Sequence, residues 1–343
     1  MDKKKQMLFN SNNFLLAVSD ILDIRDIEQN GVTKSHSLRV AFLSLKIAQK
    51  ESFNPKEMFD LCAYALFHNY IDNQRLKLLD IDNKDDKLSS IINYVHLIEE
   101  KYNFANEKIS NRKMIISELQ KGINSKYDKT FLEETKAVDF WLDCQNSNAM
   151  LHHIYATLHD FTTACDFEKV LEITKLFGSL YEDIDELLNI AKQICVYYKF
   201  EHKDTQMFLI ACSMMNFGKL AISSRIIKKD SKLSEDEFEL LKSNVYYLKQ
   251  ALQNIYGFDD IAKLATRHHE KLNGNGYPSA VSAKSLSLKD RLISIINIYN
   301  ACLSTKTYRN KLNKEQTIKI IHKKALNNEI DKALVEDLEH LLR

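Results

Sequence analysis

Arg267-His268-His269-Glu270-Lys271-Leu272-Asn273-Gly274-Asn275-Gly276-Tyr277-Pro278 is the stretch from which the rest of this chain is best read. The 343 residues include seven glycines and two prolines, and three of those glycines and one proline fall between Gly257 and Pro278. Glycine and proline let a backbone turn sharply or stop a helix, so their concentration here places one abrupt turn. Their scarcity elsewhere implies a nearly all-helical protein. Two adjacent histidines just before the turn make it a candidate metal or phosphate site.

Outward from the turn, apolar residues recur at helical spacing. Residues 8–29 read as a helix ended by Gly31, and a second runs through HSLRVAFLSLKIAQK, with Leu38, Val40, Ala41, Leu43, Leu45, Ile47 and Ala48 on its apolar face. Asn54-Pro55, an N-cap followed by a first-turn proline, opens a third helix that ends near ALFHN. A charged loop at 80–87 precedes the helical pattern LSSIINYVHLIEEKYNF, and residues 107–160 read as connecting helices with the lone Trp141 as a core anchor. Laid beside the segment from His36, the segment from Asp183 matches Val40 to Leu187, Leu43 to Ile190, Ile47 to Ile194 and Ala63 to Ile210. In the same register His68-Asn69 falls opposite Met215-Asn216.

The length has room for two domains. A formal net charge of +1 offers no bulk attraction for nucleic acid or an anionic membrane. No apolar run approaches the roughly 18 residues that span a bilayer, and the basic opening lacks the apolar core and cleavage pattern of a signal peptide. Six cysteines without C-x-x-C spacing read as reduced, buried thiols, so a cytoplasmic location is expected.

The pattern HHE-x-x-x-G-x-G-Y-P, flanked by KLSEDEFELLKSNVYY and LSLKDRLISIINIYNACLSTKTYRNKL, resembles the signature of the HD-GYP phosphohydrolases, and HSLRVAFLSLKIAQ…ALFHN resembles a second opening of the same kind. The resemblance implies an all-α fold of two HD-type helical bundles in tandem, the C-terminal one carrying the GYP turn. On that reading residues 1–120 form a shortened, degenerate HD-type domain, 121–165 connecting helices, and 166–343 the HD-GYP-like domain. It also implies cyclic di-GMP chemistry on two or three metal ions. The positions that would hold those metals are largely changed. The family's first histidine falls at Asp183, its His-Asp pair at Met215-Asn216, a third histidine at Asn244 and the late aspartate at Asn297, with Asn300 nearby; His268 and His269 survive.

A thioether is a poor ligand for Mn or Fe, and an uncharged amide bridges metals badly. No metal, no other cofactor and no catalytic residue is therefore expected in the C-terminal half, and the chain leans away from being an enzyme. Lys219 after Gly218, together with Tyr277, Lys306 and Arg309, stands where the resemblance places basic and aromatic contacts to substrate phosphate. Lys219, His268, His269, Tyr277, Lys306 and Arg309 are thus the ligand-binding candidates. The expected function is that of a pseudo-phosphodiesterase that binds cyclic di-GMP or a related cyclic dinucleotide. A signalling protein docking on the GYP turn, or a working phosphohydrolase with a rearranged site, are the alternatives. In the N-terminal half His36, His68 and His96 are expected to be core or surface histidines, the alternative being a single Fe, Mn or Zn ion on the three imidazoles.

Overall fold

The structure, a computed structural model, describes residues 5–70, 72, 77–82, 86–106, 108–122, 125–158, 162–304 and 311–342. It divides into two units: Ser11–Phe161, and Met1–Asn10 together with Thr162–Arg343. Among the described residues no helix is long and apolar enough to cross a membrane. The six cysteines are free thiols, and Cys165 alone of them is not fully buried.

The first unit contains α1 (Ser11–Asn30), α2 (His36–Ala48), α3 (Pro55–Leu66), α4 (Lys87–Tyr102), α5 (Ile109–Lys121), α6 (Asp128–Glu134), α7 (Val138–Asp143) and α8 (Ser147–Thr157). Helix α2 is its axis. Val40, Ala41, Phe42, Leu43 and Leu45 are fully buried, so the helix is apolar nearly all round, as a helix enclosed by others must be. It also buries Arg39, whose guanidinium pairs with Glu99 and donates to the Cys144 carbonyl at 3.1 Å, so the charge is not left unpaired in the core. Asn54 caps α3 as its sequence implies: its side chain accepts the Glu57 N–H at 3.0 Å while Glu57 accepts the Asn54 N–H at 2.8 Å.

The expected boundaries need correcting here. Residues 125–158 are part of the first unit's core and not a connector. Phe104, Phe131, Phe140 and Trp141 form one aromatic cluster, with the Phe104 and Trp141 rings 5.8 Å apart, and Trp141 Nε1 donates to the Thr135 carbonyl at 2.9 Å. A run of short amphipathic helices looks like a linker until its aromatic residues are seen to share one neighbour, Phe104.

In the second unit β1 (Gln6–Asn10) pairs antiparallel with β2 (Thr162–Asp166), Gln6 opposite Asp166 and Asn10 opposite Thr162. The helix expected from residue 8 therefore starts three residues late. Leu8 is 51% exposed and Phe9 2%, the alternation of a strand, and the Phe9 ring sits 5.8 Å from that of Phe258. After β2 come α9 (Phe167–Gly178), α10 (Asp185–Tyr197), α11 (His202–Met214), a 3-10 turn at Phe217–Ala221, α12 (Ser224–Ile227), α13 (Glu235–Gln253), α14 (Asp259–Ala265), α15 (Leu288–Leu303), α16 (Lys314–Leu326) and α17 (Lys332–Leu342). Helix α11 takes the central place, with every residue from Phe208 to Met214 buried against α9, α10 and α14. Among the described residues the architecture is all-α apart from one strand pair.

Trp141 is the chain's one tryptophan, so its emission follows the first unit. Asn54→Ala removes the α3 cap and is expected to destabilise that unit by about 1 kcal/mol. Denaturant unfolding followed by tryptophan emission checks this; an unchanged midpoint would show that the cap contributes nothing.

Candidate functional site

The turn at residues 267–281 is built by one carboxylate. Glu270 is 2% exposed and accepts the N–H groups of Ser279 at 2.7 Å and Val281 at 3.1 Å, folding the chain after Pro278 back onto the residues before the turn. Tyr277 N–H donates to the His269 carbonyl at 3.2 Å, across a cis Tyr277–Pro278 peptide and a left-handed Gly274. Gly276 is irreplaceable on space alone: a Cβ there would stand 2.4 Å from Lys271 N and 2.5 Å from Glu270 Cα, both backbone atoms. The start of the turn is tied to the α16–α17 junction, where Lys271 pairs with Glu329 at 2.9 Å and Leu272 N–H donates to the Glu329 carbonyl.

This scaffold lays Tyr277 flat on His269, the rings 4.5 Å apart and 22° from parallel, and sets His269 4.2 Å from His268. His268 is buried and its Nδ1 donates to the Ala265 carbonyl at 2.6 Å, which leaves the lone pair on Nε2. Lys219, on the 3-10 turn after α11, brings its charge to both histidines and places Nζ 5.4 Å from the Tyr181 ring. Burial, then the Lys219 charge, push His268 down to about 3. Burial likewise holds His269 far below its usual range, ahead of the charges around it. Both are neutral imidazoles at pH 7.

Beside them lies a lattice of amides. Asn216 donates to Glu182 at 2.6 Å and Asn300 donates to the same carboxylate oxygen at 3.3 Å. Asn244 is fully buried and donates to the Leu241 carbonyl, and its backbone oxygen would be 2.1 Å from a Cβ on Gly218, so the Gly218-Lys219 turn rests directly against α13. Met215, Asn297 and Asn300 are buried as well. Asp183 is exposed instead, accepting the Asp185 N–H at 3.0 Å at the start of α10. Glu182 takes the inward place that the sequence register gives to Asp183. An acidic residue two before a helix start reads as a helix-end partner, and that signal could have moved the choice back by one. Lys306 and Arg309 lie outside the described residues.

Two metal ions do not suit this donor set. Two neutral histidines, one carboxylate already shared by two amides, two further amides and a thioether supply neither the charge nor the bridging oxygens that a pair of divalent ions requires. The arrangement instead presents acceptors. Asn216 Oδ1, Asn244 Oδ1 and His268 Nε2 are buried without a partner, and in each residue the other polar atom is committed to a donor role. Among the described residues, the one place where three His, Cys, Asp or Glu side chains bring ligand atoms within 4.8 Å of one another is His36, His68 and His96, in the other unit. Histidines expected to be core or surface residues, with a shared ion as the alternative, are thus brought together.

Residues 167–334, most of the second unit, match the HD domain family. The particular relatives are enzymes of cyclic dinucleotide turnover. The 3'3'-cGAMP-specific phosphodiesterase 3 of Vibrio cholerae is 35% identical over 99 residues, 29% of this chain and 22% of that protein. The response regulator RpfG of Xanthomonas campestris, a cyclic di-GMP phosphodiesterase, is 26% identical over 37% of this chain and 34% of its own length. The 3'3'-cGAMP-specific phosphodiesterase 1 of Vibrio cholerae is 20% identical over 76% of this chain and 64% of its own. The chain thus spans under two-thirds of the length of each of these relatives. Among solved structures, a cyclic GMP-AMP-specific phosphodiesterase of Vibrio cholerae, V-cGAP3, shares the fold with a TM-score of 0.56 at 13% identity, covering 98% of both chains.

Two outcomes follow from this geometry. Gly276→Ala drives a methyl group into backbone and is expected to destabilise the second unit by roughly 1–3 kcal/mol; a wild-type thermal midpoint would mean that the turn can relax around it. A histidine held neutral in the folded state but protonating near 6.5 when unfolded makes the native state lose stability as pH falls below that value, until its native pKa near 3 is reached. The unfolding free energy is therefore expected to drop between pH 7 and pH 4, less steeply in His268→Gln. Identical slopes for the two proteins would remove His268 from this role.

Proposed function

We propose that the second unit binds a cyclic dinucleotide as a signal and does not hydrolyse it by the metal-activated route. The observation that carries this reading is the donor set: the turn, Lys219 and the stacked His269–Tyr277 pair are kept in an HD domain whose remaining ligand positions are Met215, Asn216, Asn244 and Asn297. A phosphodiester needs positive charge to bind, which Lys219 supplies, but cleavage needs in addition an ionised water and a shielded phosphate. A purine ring offers a stacking partner to the exposed part of the His269–Tyr277 pair, and its N–H groups suit the unsatisfied acceptor atoms. By sequence register alone, Lys306 and Arg309 are further basic candidates. The named activities of the relatives support the ligand class.

The first unit reads as a degenerate second copy of the same bundle. In support, the α2–α3 pair is matched in length by α10–α11, and His68 and Met215 both follow just past the second helix of their pair.

Calorimetry of the full chain with cyclic di-GMP and with 3'3'-cGAMP tests the proposal. A Kd in the micromolar range, about 8 kcal/mol, is expected for at least one of them, weakened tenfold or more in Lys219→Ala. No product should form, with or without chelator. Binding that ignores Lys219→Ala, or no heat with either ligand, would leave the turn as a protein-docking surface. Chelator-sensitive hydrolysis at ordinary phosphodiesterase rates would overturn the proposal outright.

A further inference from the structure

Three imidazoles converge in the unit that the HD domain match at 167–334 does not reach. His36 opens α2, His68 lies just beyond α3, and His96 sits on α4. Their ring centroids are 5.6 Å, 5.4 Å and 4.9 Å apart, all meeting edge to face. Their ligand nitrogens lie within 4.8 Å of one another. Packing alone does not account for the arrangement, because His36 Nε2 and His68 Nε2 are buried with no hydrogen-bond partner. An unsatisfied buried polar atom costs about 1–3 kcal/mol, and two such atoms in one cluster require a reason.

The opposite nitrogens explain which lone pairs are free. His68 Nδ1 donates to the Ala65 carbonyl at 2.7 Å, so its Nε2 is the unprotonated nitrogen. His36 Nδ1 stands 3.7 Å from Glu99 Oε1, and His96 Nδ1 stands 3.9 Å from Glu100 Oε2. A carboxylate or carbonyl behind one ring nitrogen, with the other nitrogen turned to a shared point, is how metal-binding imidazoles are oriented. Asp26, 1% exposed, adds anionic character behind His68, where it accepts from Asn69 Nδ2 at 3.1 Å.

We propose that His36, His68 and His96 bind a single divalent transition-metal ion, zinc or a metal of similar preference, with a fourth position left for water. Zn–N bonds of about 2.0–2.1 Å set tetrahedral nitrogens roughly 3.3 Å apart. Closing from 4.8 Å asks only small side-chain rotations, each nitrogen moving on the order of 1 Å or less. Imidazole alone favours zinc, iron, nickel or copper over magnesium, calcium or manganese. His96 is the least buried of the three, with 34% of its side chain exposed, so the ion enters from its side and the water position opens there. The site is distinct from the HD turn, and its occupancy does not depend on whether a cyclic dinucleotide binds the second unit.

The test uses the full chain stripped with chelator and titrated with Co2+ alone, then Zn2+ alone. One equivalent of cobalt is expected to give the visible bands of a tetrahedral nitrogen site, and one equivalent of zinc to displace it. His96→Asn, at the most exposed ligand, is expected to keep the helical circular dichroism and weaken cobalt binding at least tenfold. His68→Asn with His96→Asn is expected to abolish it, while His152→Asn, an exposed histidine of the same unit, changes nothing. A folded wild-type chain that gives no cobalt bands, or bands that persist in the His68→Asn, His96→Asn double variant, would overturn the proposal.

Discussion

A buried carboxylate holding two backbone N–H groups is the contact on which the second unit's site depends. Glu270 accepts from Ser279 and Val281 on the far side of the turn, so the chain must pass over Gly276 at a distance that no side chain permits. Charge-assisted hydrogen bonds to backbone are among the stronger ones available, and here they fix a loop that has few apolar contacts of its own. With the loop fixed, Tyr277 has one place to lie, against His269, and His269 in turn stands beside His268 and the Lys219 charge. Burial keeps both imidazoles neutral, so the positive charge beside them is that of Lys219.

The two units gather different chemistry. The second keeps the turn and the lysine, while amides and a thioether occupy the positions where metal ligands would be expected. The first has no comparable turn among its described residues, but it gathers three imidazoles backed by Glu99 and Asp26. One group sets the Lys219 charge beside buried acceptor atoms and the Glu182 carboxylate; the other sets imidazole nitrogens beside Glu99 and Asp26.

Much of this was legible in the residues. Helical periodicity, the Asn54-Pro55 cap and the crowding of glycine near Pro278 are local signals, and the helices, the cap and the turn formed where those signals placed them. What escaped was whatever depends on residues far apart in the chain. Residues 8–10 look helical by spacing but pair as a strand with 162–166, a partner more than 150 positions away. The aromatic residues after 125 read as a connector because their common neighbour, Phe104, lies outside that stretch. Asp183 drew attention by register, although its place at a helix start already spoke for a capping role and left Glu182 to turn inward. One ion on His36, His68 and His96 was already an alternative in the sequence; the packing of α2, α3 and α4 is what brings the three together.

The strand pair also has a temporal consequence. Gln6–Asn10 is made before the Ser11–Phe161 unit, yet its partner Thr162–Asp166 is made only after the whole of it. At about 5–20 residues per second that delay is on the order of 10–30 s. Through it Phe9, fully covered at the end, has no sheet to join. The first unit can collapse meanwhile around its own contacts, whereas the second must await both its own C-terminal helices and this returning N-terminal ribbon.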